Sequence, residues 1–469
     1  MPLPAAFLHQ PASDIRARVA ARDVSAREVT EAALARIHAA NGTLNAIVAL
    51  DPGAVEAAVA IDAALARGEA PGPLCGVPVG IKDVTDVAGV PTTYGSPIYA
   101  GHVPADDALV VARLRAAGAV IVGKTNTPEF AAGGNTFNDV FGPTRNPWDP
   151  SKTAGGSTGG GAAALASGMI ALAEGTDLGG SLRIPAAFCG VAGLRPSVGL
   201  VPTAPTAWAF DTLQVTGPMA RTVGDVALML QAIAGPSAAA PLGQPVAGRD
   251  FAAAVASGLP RGTRVAYAAD PAGIGVDAAI EARCRQAAMG LADAGATVEE
   301  VAPRLAFARP AFLTLRGLWF VNQMRGRLEH LERFGPNVTG NIRRGLATTT
   351  AQIADAEAAR GRLWQTVQDL FTRADVIVTP CTAVPPFPVG QHHPDVVGGA
   401  AMESYIDWLA PTFVWSLTGL PVASVPCGLD PDGMPVGLQV IGPAHGEERV
   451  LAVAAAIERR HPIGRPPAA

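Results

Sequence analysis

Two serines set in glycine runs, and one lysine at the end of an apolar run, are the residues of this chain best equipped to open an acyl bond. Ser157 lies in Thr153-Ala154-Gly155-Gly156-Ser157-Thr158-Gly159-Gly160-Gly161, and Ser181 follows 24 positions later in Asp177-Leu178-Gly179-Gly180-Ser181-Leu182-Arg183. Glycine has no Cβ, so its backbone can approach a reacting carbonyl closely and adopt positive φ. Lys82 ends the run Gly76-Val77-Pro78-Val79-Gly80-Ile81, which sets an ammonium group at the edge of an expected buried strand. A lysine there must offset the loss of its hydration.

Amide cleavage requires a nucleophile, a base that returns its proton to the leaving amine, and donors for the tetrahedral oxyanion. Ser181 opens an expected helix behind Leu178-Gly179-Gly180, so successive backbone N–H groups can converge on an anion at a helix N-terminus. Burial would pull Lys82 below its reference pKa of about 10.4 and make a neutral amine available as base. The Ser157 hydroxyl both donates and accepts, so it can carry a proton from Ser181 to Lys82. The reading is a Ser-Ser-Lys triad of Ser181, Ser157 and Lys82.

These motifs resemble those of the amidase signature family of serine hydrolases. The match includes Gly80-Ile81-Lys82-Asp83, the two serine motifs through Ile184-Pro185, Gly123 to Phe130, Gly142 to Trp148, Gly193 to Pro196 and Gly217 to Arg221. It covers nearly the whole chain and is weakest between 236 and 375. The resemblance implies that Lys82, Ser157 and Ser181 are base, bridge and nucleophile. It also implies a cis Gly156–Ser157 bond, and an oxyanion hole from the amides of Leu178, Gly179, Gly180 and Ser181. Thr176, Asp177 and Arg183 would support the site. Thr158, where many relatives have a second serine, keeps the hydroxyl. By the same resemblance the loop Phe130 to Asn135, with Ala131 and Gly133, borders the scissile bond together with Thr176. Its small residues leave room for a bulky or aromatic group. The implied activity is hydrolysis of hydrophobic or aryl amides, with esters and carbamates open to the same chemistry; a glutaminase subunit of a tRNA-dependent amidotransferase is the alternative.

The elements that must position these groups alternate between strand and helix. A capping box at Ser25 to Glu28 starts an N-terminal helix that Asn41-Gly42 is expected to close. Strands are expected at Val77 to Ile81, Ala119 to Gly123, Ile170 to Ala173 and Val191 to Leu194, with helices at Asp107 to Ala117, Gly161 to Ser167 and Ser181 to Ala187. From about 236 to 375 helical patterns dominate and strand signals are few. Short buried strands resume at Val376 to Pro380, Val422 to Pro426 and Val436 to Ile441, before a last helix at Glu447 to Arg459. The expected fold is α/β, with a mixed, mostly parallel central sheet covered by helices on both faces. One domain spans 1–469: N-terminal helices to 70, a core of about 70–235 and 376–469, and a helical peripheral insertion between.

Composition narrows the function further. Of 469 residues, 49% are hydrophobic and 16% charged, which fits a large core and excludes long disordered segments. A net charge of −5, without a basic patch, argues against nucleic acid as a partner. Five scattered cysteines with no C-x-x-C spacing indicate reduced thiols rather than a disulfide or zinc framework. Neither signal peptide nor spanning segment is read, so a cytoplasmic enzyme away from membranes is expected, as monomer or homodimer, using no cofactor or metal.

Several features invite other readings. Gly155-Gly156-Ser157-Thr158-Gly159 fits the nucleophile elbow G-x-S-x-G, with His445 as a possible histidine, yet the approach from Pro147 to Ala154 is too polar and proline-broken for the preceding strand. No Gly-Lys-[Ser/Thr] follows the glycine run, which removes a phosphate loop. Lys124 is expected to be structural and solvated, and His392-His393 with Asp395 solvent-exposed. Trp208, Phe210, Trp319, Trp408, Phe413 and Trp415 are possible pocket walls or core.

Overall fold

The computed structural model describes residues 3–467. Eleven strands form one sheet, and a two-stranded hairpin stands apart. In chain order the strands are β1 (Ile47–Leu50), β2 (Pro78–Lys82), β3 (Val120–Thr125), β4 (Leu172–Asp177), β5 (Ala192–Arg195), β6 (Val215–Ala220), β7 (Arg264–Tyr267), β8 (Thr297–Glu300), β9 (Val376–Pro380), β10 (Val396–Val397), β11 (Ala400–Ala401), β12 (Val422–Leu429) and β13 (Pro435–Ile441). The sheet order is β1-β3-β2-β4-β6-β5-β12-β13-β9-β7-β8. The expected mixed sheet is present. Parallel pairing is confined to β3-β2-β4 and β9-β7-β8, and the other six pairings are antiparallel.

Side-chain alternation assigns the two faces. Val376 and Val378 of β9, and Val265 and Tyr267 of β7, enter one apolar core, whereas Ile377 and Ala266 between them enter a second. The first core includes Leu165 of the helix Gly159–Ala166 and Val226 of the helix Val223–Ile233; the second includes Phe312 of the helix Arg309–Gln323 and Leu363 of the helix Thr350–Phe371. Every residue of β2, β3 and β4 is buried, so their apolar stretches do not alternate with polar positions, and Lys82, Lys124, Glu174 and Asp177 toward their C-terminal ends are buried with them.

Local chemistry altered some expected boundaries. The Ser25 hydroxyl accepts from Glu28 N–H as the capping box requires, but the helix continues past Asn41-Gly42 to Leu44, and Asn45 closes it in the left-handed region. Asn41 instead serves the first strand: its Oδ1 accepts from the amides of Ala46 and Ile47, and its Nδ2 donates to Ile47 O. The stretch 236–375 is not purely helical, because β7 and β8 extend the central sheet beyond β9. These strands have four residues each, and β8 is mostly exposed, so neither presents a long apolar run. β6 was also unforeseen; its Pro218 argues against a central strand, yet it sits opposite Glu174 on β4.

Candidate active site

Parallel pairing of β2 with β4 brings the end of one strand beside the other, with Ile81 opposite Glu174. Lys82 is fully buried, and its Nζ donates to Ser157 Oγ at 2.7 Å and to Thr176 Oγ1 at 2.9 Å. Loss of hydration pulls the lysine down to about 7, against the opposing charges of Glu174 and Asp177. Ser157 lies just before the helix Gly159–Ala166, and the Gly156–Ser157 bond is cis.

The glycines around Ser157 chiefly admit the protein's own backbone. A Cβ on Gly156 would lie 2.8–2.9 Å from Asn135 backbone atoms, and one on Gly160 would lie 2.2 Å from Asn126 N. At these two positions the close approach that glycine permits is to the protein's own loops rather than to a reacting carbonyl, and it lets the Ser157 segment lie against them.

Ser181 precedes the helix Arg183–Cys189 and opens on a recess shared with Ala131, Thr176, Leu178 and Arg316. Its carbonyl accepts from Thr158 N–H at 3.1 Å, which joins the two serine segments. A bond between the Ser157 and Ser181 hydroxyls, the second link of a relay, is not among the hydrogen bonds of the described residues. The Thr158 hydroxyl is buried without a partner. One member of the expected oxyanion hole is engaged elsewhere: Gly180 N–H donates to Asp177 Oδ1 at 2.9 Å. The amides of Leu178, Gly179 and Ser181 are the remaining candidate donors.

Asp177 organises this loop. Its carboxylate also accepts from Leu182 N–H and, on both oxygens at 3.0 Å, from Arg183, with Arg195 alongside. Burial pushes the carboxyl up, but the charge of Arg183, its hydrogen bonds and Arg195 outweigh burial and hold it below the usual carboxylate range. Arg183 further donates to Thr412 O, Gln439 Oε1 and Ser416 Oγ. Asp177→Ala would strand two buried guanidinium groups, so a loss of about 3–5 kcal/mol is expected. Denaturant unfolding checks this, and a change below about 1 kcal/mol would contradict the anchoring role.

Beyond the Ser181 recess lies a cavity of about 330 Å³. The two share Phe130, Ala131, Thr176, Gln214, Trp319 and Phe320, and the larger space adds Tyr94 and Arg327. Ala131 and Thr176 line both spaces. Gly133 does not: it is buried in the turn, where a Cβ would meet Asn135 O at 3.0 Å and Pro128 at 3.3 Å. Positive φ at Phe130 and Ala131 turns the chain back at this point, and the loop presents Phe130 to the cavity as well as small residues.

Of the six aromatic candidates, Trp319 walls the cavity. Trp408, Phe413 and Trp415 are core, Phe210 is 64% exposed, and Trp208 lines a separate recess. Lys124 is buried rather than solvated: its Nζ donates to Thr92 Oγ1 and Thr85 O, 3.7 Å from Asp83. His392 stacks on Phe137. His445 lies beside Gln244, and the approach to Ser157 has isolated bridges, Arg145 with Thr153 and Lys152 with Pro388, but no strand of its own, so the elbow reading lacks its strand.

Sequence reasoning missed Glu174, which is fully buried on β4; its carboxylate accepts from Lys82 N–H and Thr85 Oγ1. Burial raises its pKa. The available signal was a carboxylate ending the run Ile170-Ala171-Leu172-Ala173. All five cysteines are buried free thiols. Among the described residues no helix is long and apolar enough to cross a membrane.

A mixed sheet between two helical layers thus sets a buried lysine against one serine, with a second serine lining the nearby recess. The amidase family model matches residues 28–451, and the chain belongs to that family. It is 38% identical to an acylamidase of Rhodococcus erythropolis, over 96% of this chain and 95% of that protein. It is 39% identical to a glutamyl-tRNA(Gln) amidotransferase subunit from Acidothermus cellulolyticus, over 96% of this chain and 94% of that protein. Among solved structures, a bacterial aryl acylamidase superposes with a TM-score of 0.91 at 29% identity, covering 97% of this chain and 96% of that one. The 6-aminohexanoate cyclic dimer hydrolase superposes with a TM-score of 0.87 at 28% identity, covering 98% and 99%. The chain is an amide-hydrolysing enzyme.

Proposed function

We propose that this enzyme hydrolyses hydrophobic or aryl amides through an acyl-enzyme on Ser181. The carrying observation is the 2.7 Å contact between buried Lys82 and Ser157, beside the recess that holds Ser181. Ser181 Oγ attacks the carbonyl carbon; its proton passes to Ser157, whose own proton passes to the neutral Lys82 amine. The oxyanion is held by the amides of Leu178, Gly179 and Ser181. Collapse breaks the C–N bond while the relay returns the proton to the leaving nitrogen. Water then repeats the sequence on the ester and frees the acid and Ser181.

Tyr94, Phe130, Trp319 and Phe320 give the cavity aromatic walls, which favours an aryl group over a small polar one. Esters and carbamates enter by the same acyl-enzyme step. The second reading, a glutaminase subunit, rests on the 39% identity to an amidotransferase subunit. A panel of an anilide, an aryl ester, a carbamate, a simple primary amide and glutamine, given to the isolated chain, separates the two. The anilide is expected to have the highest kcat/KM among the amides. Glutamine turnover without anilide turnover would reverse the assignment.

A further inference from the structure

The Ser181 recess contains a cation that the proposed chemistry does not use. Arg316, on the helix Arg309–Gln323, stands in the stripe of Phe312, Leu315, Trp319 and Phe320 and is only 5% exposed. Its Nε donates to Asn341 Oδ1 at 3.1 Å and its Nη2 to the Tyr405 hydroxyl at 2.8 Å. The guanidinium lies 5.1 Å from the Phe320 ring centre, 5.7 Å from that of Tyr405 and 5.9 Å from that of Phe312. Among the described residues no carboxylate pairs with it and Nη1 makes no hydrogen bond.

The acids on neighbouring elements are committed elsewhere. Asp211 accepts from Trp319 Nε1 and the amides of Leu213 and Gln214; Asp407 accepts from Arg309. The buried Arg183 and Arg195, by contrast, share Asp177. Ring faces and two neutral acceptors replace only part of the hydration that a buried guanidinium gives up. A carboxylate is the partner such a fork binds best.

We infer that Arg316 is a specificity residue that receives a carboxylate on the acyl portion of the substrate. This inference rests on the Ser181 amidase reading. Arg316 and Ser181 line the same small recess, so the anion belongs to the part of the substrate beside the scissile carbonyl. With the aryl amine in the larger aromatic cavity, that part is the acyl group. The substrate class is then the aryl monoamide of a short dicarboxylic acid.

Three p-nitroanilides test this on the full chain: succinyl (anionic), butyryl (neutral) and β-alanyl (cationic). The expected order of kcat/KM is succinyl, butyryl, β-alanyl, with succinyl ahead of butyryl by about tenfold or more, mainly through KM, as a charge-assisted pair provides. Arg316→Gln should bring the succinyl-to-butyryl ratio close to one, and Arg316→Lys should retain an intermediate ratio. A wild-type ratio at or below one, or an unchanged ratio in folded Arg316→Gln, overturns the inference. Should Arg316→Gln fail to fold, the wild-type order and the Arg316→Lys ratio decide. Turnover of butyryl without succinyl preference defeats only the role of Arg316; p-nitroaniline from none of the three defeats the amidase reading with it.

Discussion

Ser181→Ala is expected to lower amide hydrolysis by about 10⁵-fold, to the level that oriented binding and the oxyanion donors alone sustain. The residue is partly exposed at the recess and its hydroxyl has no protein partner among the described residues, so removing one oxygen should leave the fold intact. Its carbonyl, which holds the Thr158 amide, is unchanged by the substitution. The decisive measurements are kcat/KM for an anilide and the thermal unfolding midpoint of the same preparation. A second readout follows the covalent step: an activated aryl ester should acylate wild type at Ser181, visible by mass spectrometry, and leave the variant unlabelled. Turnover close to wild type would remove Ser181 as the nucleophile. An adduct on Ser157 would restore the elbow reading in its place.

Replacing the lysine should separate substrates by their leaving groups. Lys82→Ala removes the group that accepts the nucleophile's proton and returns it to nitrogen, and general acid–base catalysis of this kind contributes about 10²–10⁴-fold. An amine leaves only when protonated, whereas a nitrophenolate leaves without help. The anilide should therefore lose most of that factor and a p-nitrophenyl ester markedly less; equal losses would contradict a proton-return role.

The pH profile supplies the sign. Burial brings the wild-type lysine down to about 7, so the competent neutral amine accumulates as pH rises. Wild-type kcat/KM for the anilide should climb through about pH 7 and level above it, and Lys82→Ala should lose that limb. A wild-type profile that falls over this range would exclude a neutral lysine base. Because Glu174 lies beside the Lys82 backbone and opposes its shift, unfolding measurements on the variant distinguish lost chemistry from lost structure.

Much of the local framework was legible because it depends on short-range chemistry. The capping box at Ser25, the apolar runs that became β2, β3, β9, β12 and β13, and the last helix all follow from period and capping. The helix runs past Asn41-Gly42 because Asn41 turns its side chain to the amides at the start of β1, and Asn45 supplies the left-handed closing residue instead. β6 and β7 were missed because their pairing comes from strands distant in the chain. A proline in β6 and a four-residue length in β7 are tolerated only where those partners exist.

The residue types and spacing of Lys82, Ser157 and Ser181 were enough to indicate acyl-transfer chemistry and, through the surrounding motifs, the amidase family. Sequence alone determined that much because nucleophile, base and glycine runs are written as contiguous motifs. Tertiary structure decided what surrounds them. It set Lys82 beside Thr176 through the pairing of β2 with β4 and against Ser157 ahead of the helix Gly159–Ala166, gave the Gly180 amide to Asp177, and left Gly133 off the cavity wall. It also brought Trp319 and Arg316, from a helix far downstream in the chain, to the recess of Ser181. Burial and charge balance are properties of packed surfaces, so a lone arginine in an apolar helical stripe acquires meaning only when its neighbours, and the carboxylates they lack, are in place.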